Sequence, residues 1–201
     1  MPPEPLHPAE VRVLGALLEK EITTPEYYPL TVNALVNACN QKSNRDPVVN
    51  YSEEVVQQAL ALLRHKGLAV RVSGTGHRVE KYGHLLGEKL NLGRRESALL
   101  CMLLLRGPQT VGELRGRTER MYEFTELADV EHCLESLSTR QPDSLVAPLP
   151  RGRWCQLLSA VPDPAGEVPS TAPTTDVENR LAALEREVAG LKQTLESFRR
   201  Q

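Results

Sequence analysis

Apolar residues recur at helical spacing in two stretches that resemble each other. Val11, Leu14 and Leu18 follow i, i+3, i+7 with Leu17 beside them, after Pro8 and Glu10; Leu99, Leu100, Leu103 and Leu104 do the same. Positions three and four apart share a helix face, so each stretch predicts an amphipathic helix. The same local string then occurs twice, Thr31-Val32-x-x-Leu35 and Thr110-Val111-x-x-Leu114. A Thr ahead of an apolar-periodic run is an N-cap signal, because its hydroxyl accepts from a free N–H of the first turn. A third helix follows in each unit, with Val56, Leu60 and Leu63 matching Val130, Leu134 and Leu137 at an offset of 74. Strand-like pairs close both units. Leu68–Val72 and His77–Tyr82 flank Ser73–Gly76, and Leu145–Ala147 and Trp154–Leu158 flank Pro148–Arg153.

Helix, helix, helix, hairpin, read twice, predicts a fold that is mainly α with small β-hairpins (α+β), organised as two tandem winged-helix domains. Residues 6–88 form the first domain and 92–159 the second, each with its own apolar core. The second and third helices make a helix-turn-helix and the hairpin makes the wing.

Beyond them the chain changes character. Residues 160–176 hold Pro162, Pro164, Pro169 and Pro173 among Ser, Thr and Gly, a composition that favours an extended linker over a core. A heptad pattern begins at Val177 and continues through Leu181, Leu184, Val188, Leu191, Leu195 and Phe198. With Leu181, Val188 and Leu195 at a and the others at d, residues 177–199 predict a coiled-coil helix and a homodimer. In a parallel pair, Arg180 faces Glu185 and Glu187 faces Lys192 of the other copy, both attractive. Folding of this amphipathic helix back onto its own domains is the alternative.

Two long strings carry a resemblance. Leu17–Lys42, LLEKEITTPEYYPLTVNALVNACNQK, continues as SNRDPVVNYSE through Glu53, and Leu103–Phe124 reads LLLRGPQTVGELRGRTERMYEF. Both are similar to the YceH family of bacterial proteins, over roughly residues 8–158. The resemblance implies two tandem winged-helix domains, in agreement with the repeat, and no established biochemical activity.

Composition narrows the partners. The 201 residues carry 24 Lys+Arg against 26 Asp+Glu, net charge -2, and only 4% are aromatic, too few for stacking platforms along a single strand. Residues 1–90 hold 10 basic and 10 acidic side chains and 91–160 hold 9 of each, so neither half has the basic balance typical of a duplex-binding domain. The longest apolar run, Ala98–Leu105, is far shorter than a membrane span requires, and the N-terminus lacks the basic start and apolar core of a signal peptide. The cytoplasm is the expected compartment. Cys39, Cys101, Cys133 and Cys155 stand 62, 32 and 22 apart without a C-x-x-C pair, so they read as reduced core residues and no metal is expected.

The five His, at 7, 65, 77, 84 and 132, show no metalloprotease or triad spacing, and the Ser73–Gly76 turn lies between strands with no helix behind it to cradle phosphate. Neither an enzyme nor a cofactor is expected. Double-stranded DNA is the leading partner for a transcriptional regulator of this fold class. The candidate contacts are Lys42 and Arg45 before the third helix, Gln57, Gln58 and Arg64 on it, Arg71, His77, Arg78 and Lys81 on the first wing, and Arg151 and Arg153 on the second. Lysine and arginine neutralise phosphates, and Gln pairs with an adenine edge. Against this, the first helix to read a groove opens Ser52-Glu53-Glu54, and its counterpart offers Glu126, Asp129, Glu131 and Glu135. The rival function is a protein-interaction or scaffold module. Arg115, Arg117 and Arg120, interleaved with Glu113, Glu119 and Glu123, are expected to form ion pairs between the units.

Overall fold

The computed structural model describes residues 4–72 and 79–160. The heptad residues 177–198, the proline-rich segment from 161 onward, His77 and Arg78 lie outside the described residues.

The first half opens with α1, Pro8–Thr23. Pro8 sits at its first turn, and a capping box closes the end: Glu10 Oε2 accepts from His7 N–H at 2.8 Å. A short strand β1, Leu30–Thr31, leads into α2, Val32–Cys39, whose first turn is capped by Thr31 Oγ1 accepting from Ala34 N–H at 3.3 Å. Helix α3, Glu53–His65, begins at Ser52, whose hydroxyl accepts from Val55 N–H. Strands β2, Ala69–Val72, and β3, Lys81–His84, form an antiparallel hairpin in register Ala69 to His84 and Val72 to Lys81, and β1 adds on the free side of β3.

The single-turn helix α4, Leu86–Lys89, joins this half to the second, which repeats the order. Helix α5, Arg94–Arg106, precedes β4, Gln109–Thr110, then α6, Val111–Thr118, and α7, Leu127–Ser138. Strands β5, Val146–Leu149, and β6, Arg153–Gln156, close it. The sheets run β1-β3-β2 and β4-β6-β5, the same order twice. Thr110 caps α6 as Thr31 caps α2, and Val56, Leu60, Leu63 and Val130, Leu134, Leu137 are all buried on equivalent faces of α3 and α7. The result is a mixed α+β fold with small antiparallel sheets.

One core per half is not what forms. Helices α1 and α5 lie against each other, and a single apolar cluster runs from Leu6 through Leu17 and Leu99 to Leu158. Every residue from Arg12 to Glu19, and every residue from Ser97 to Leu105, is buried. The two helices predicted as amphipathic are therefore enclosed, because each half covers the side its own partners leave open. Close approach depends on Gly15, where an added Cβ would stand 2.9 Å from Leu105 Cδ2, and the Cys101 thiol reaches Gly15 O at 3.5 Å. Backbone bonds stitch the halves at two further points, Leu6 N to Leu158 O at 2.8 Å and Asp46 N to Leu105 O at 3.0 Å. The described residues of 1–162 accordingly make one compact unit.

Candidate interaction surface

Among the seven described cations expected to meet phosphate, Arg45, Arg71 and Arg153 are engaged by the protein itself. Arg45 is the sharpest correction. Its side chain is buried, and it grips Glu19 of α1 with both terminal nitrogens, Nη1 to Oε1 at 3.1 Å and Nη2 to Oε2 at 2.6 Å. Its Nε and Nη2 also donate to Ala38 O at the end of α2, and Nη2 to Gln41 Oε1. Asn44, at a left-handed φ of 57°, turns the chain so that the next side chain points inward. Burial alone would raise the Glu19 carboxyl; the hydrogen bonds and charge of Arg45, with Lys20 behind them, hold it below its ordinary value. This arginine fastens the loop before α3 to α1 and presents nothing to a ligand.

On the hairpin, Arg71 Nη1 lies 2.5 Å from Glu80 Oε1, and Tyr82 donates its hydroxyl to Glu80 Oε2 at 2.8 Å. The Tyr82 bond and the Arg71 charge keep Glu80 ionised below the usual carboxylate range. Lys81 is half-buried across from Val72, and Gln57 spends an amide hydrogen on Glu53 Oε1 at 2.8 Å. Lys42, Gln58 and Arg64 are exposed. In the second half Arg153 is exposed and donates to Pro108 O at 2.8 Å, and Arg151 is exposed at the β5–β6 turn with a left-handed φ of 62°.

Two of the three arginines expected to pair between units bond within the second half. Arg117 reaches Glu113 at 3.1 Å and Gln109 Oε1 at 2.7 Å, and Arg115 Nε donates to Phe124 O at 3.3 Å. Arg120 lines a polar cleft of about 430 Å³ shared with Glu19, Lys20 and Lys42 of the first half. All four cysteines are free thiols in the core, and burial pushes Cys39 up to about 12 and Cys133 to about 11.

Apolar exposure is what the sequence analysis missed. Leu62 on α3 is 49% exposed, and Val70, Val72 and Val79 stand exposed on the hairpin. The signal was available: with Val56, Ala59, Leu60 and Leu63 facing inward, Leu62 falls one hundred degrees from Leu63 and off the buried face. Val70 and Val72 share one face of β2 by strand alternation, and Arg71 takes the other. Helix α3 packs directly on β2, so these side chains stand on two touching elements. On the equivalent helix α7, Leu127, Glu131 and Glu135 are exposed. No helix among the described residues is long and apolar enough to cross a membrane.

The sequence profile of a family described as "Protein of unknown function, DUF480" matches residues 6–153. The chain belongs to the DUF480 family. Its relatives are bacterial. This DUF480 chain is 54% identical to a UPF0502 protein of Solibacter usitatus, over 97% of each chain. It is 53% identical to one of Citrifermentans bemidjiense, over 90% of this chain and 86% of the relative. A UPF0502 protein of Geobacter sulfurreducens is 48% identical over 98% and 97%. The stretch resembling the YceH family nearly coincides with the DUF480 match, and none of these names carries an activity.

Proposed function

We propose that the chain is a non-enzymatic tandem winged-helix protein that binds another protein through the α3–hairpin face of its first half. The repeated sheet order, with a hairpin directly after each third helix, supports the winged-helix assignment. The observation that carries the binding mode is the exposure of Leu62, Val70, Val72 and Val79 on the two elements a winged helix would present to a duplex. Apolar side chains gain by leaving water against a protein partner and gain nothing against phosphate oxygens. The cations tell the same story. Arg45 is buried against Glu19 and Arg71 is matched by Glu80, so duplex binding would first have to break or share these pairs. The acidic α7 of the second half points the same way.

The test pairs two measurements on the full chain. Fluorescence anisotropy against mixed duplex, titrated from low to physiological salt, is expected to show no micromolar binding. A photocrosslinking residue at position 62 is expected to capture one discrete protein in cells of the source bacterium, and Leu62→Glu to abolish capture by a crosslinker at Val79. Tight duplex binding with a steep salt slope, lost in the triple change of Arg71, Arg78 and Lys81 to Ala, would overturn the proposal in favour of a DNA-binding regulator.

A further inference from the structure

A cleft of about 360 Å³ opens where the two halves meet, within the roughly 300–1,000 Å³ that small-molecule sites occupy. Its walls are largely apolar. Leu6 comes from the segment just before α1 and Val11 from its first turns, Val49 and Tyr51 from the loop before α3, and Leu103 and Leu104 from α5. Arg12, Asp46, Gln156 and Ser159 interrupt them. Arg12 is 4% exposed, and a buried charge is ordinarily paired.

Here the pairing is incomplete. Nη1 donates to Cys39 O at 3.2 Å and Nη2 to Pro47 O at 2.6 Å, both neutral acceptors. A guanidinium has five N–H donors, so these two bonds leave donors over. No ion pair within 4.0 Å joins Arg12 to a carboxylate among the described residues. The buried carboxylates of α1 are taken by other cations, Glu10 by Lys66 and Glu19 on both oxygens by Arg45. Burial first, and then the charge of Arg45, disfavour the charged form of Arg12. Asp46 offers a compensating charge from the exposed rim of the cleft. The wall of an apolar cleft thus carries a cation with no carboxylate in contact among the described residues.

We propose that this cleft binds a medium-chain monocarboxylate, its tail against Leu6, Val11, Leu103 and Leu104 and its carboxylate on Arg12. Charge complementarity selects the anion, because a carboxylate accepts two N–H bonds from one guanidinium in a single plane. Asp46 at the rim repels a second negative charge and so selects against dicarboxylates and phosphate esters. The site shares no residue with the α3–hairpin face, so either proposal stands if the other fails.

Calorimetric titration of the full chain with octanoate, octanol and the dicarboxylate suberate tests it. Octanoate is expected to bind at least tenfold more tightly than octanol, the worth of a charge-assisted contact, and more tightly than suberate. Val49→Trp, on the loop wall, is expected to weaken octanoate at least tenfold with the melting temperature unchanged. Arg12→Met is expected to bring octanoate down to the affinity of octanol. Should that variant fail to fold, Arg12→Lys, which keeps the charge but loses the planar fork, is expected to weaken octanoate and spare octanol. Equal binding of octanoate and octanol to the native chain, no octanoate heat at millimolar concentration, or an unaltered octanoate affinity in Val49→Trp would overturn the assignment.

Discussion

Arg45 and Glu19 meet as a two-pronged ion pair inside the first half, 2.6 Å and 3.1 Å apart, although the sequence places the arginine in an open polar loop. The guanidinium also takes Ala38 O, so a single side chain closes the end of α2, the following loop and the middle of α1 together. Breaking such a pair strands a buried charge. Glu19→Gln or Arg45→Met is expected to cost about 3–5 kcal/mol, read by chemical denaturation. The double change to Met at both positions is expected to cost less than either single change adds, because no charge is then left unpaired. Losses that simply add would show that the two residues act independently.

The junction of α1 with α5 makes a second prediction. Gly15→Ala places a methyl 2.9 Å from Leu105 Cδ2, an overpacking expected to cost about 1–3 kcal/mol. Trimming the opposing side chain, Leu105→Val, is expected to recover part of that loss in the double variant. Thermal unfolding should show one transition throughout, since residues 1–162 share a core; two separable transitions would contradict it.

His84 supplies a pH dependence. Its Nδ1 accepts from Leu86 N–H at 3.1 Å, which holds the start of α4, and its Nε2 stands 2.8 Å from Glu21 Oε2. Tyr28 packs a tilted ring beside it, and Glu88 of α4 adds a more distant negative charge. Burial lowers the pKa of His84, outweighing the opposing pull of Glu21 and Glu88. The unfolded chain therefore takes up this proton first, near the ordinary histidine value of about 6.5. The His84 contribution to stability is complete above about pH 6.5 and is lost as pH falls through the lowered folded value. Stability measured from pH 7.5 downward should decline more steeply in the native chain than in His84→Gln. Parallel profiles would show that another group dominates.

The heptad residues from Val177 to Phe198 belong to a proposed parallel coiled coil that joins two copies. Deleting residues 177–201 is expected to halve the mass measured by light scattering and leave the melting of residues 1–162 in place. An unchanged mass would remove the dimer from the proposal.

Local chemistry was legible in the sequence wherever neighbours along the chain decide the outcome. Thr31 and Thr110 cap their helices because a hydroxyl reaches a first-turn N–H within three residues, and the inward faces of α3 and α7 follow from a period that needs no distant partner. The doubled order of helices and hairpins, and the four hairpin strands to within a few residues, were likewise written in period and turn composition, whereas β1 and β4 were not. Tertiary structure alone decided where the charges went and how the halves met. A loop arginine is exposed or buried according to whether a carboxylate waits beneath it, and Glu19 stands 26 positions before Arg45. Helices α1 and α5 have the same apolar pattern whether a polar edge faces water or a second copy of the motif, and only their mutual burial closed two predicted cores into one. Arg12 was passed over for the same reason, since nothing local marks a cation on the wall of a cleft built by both halves.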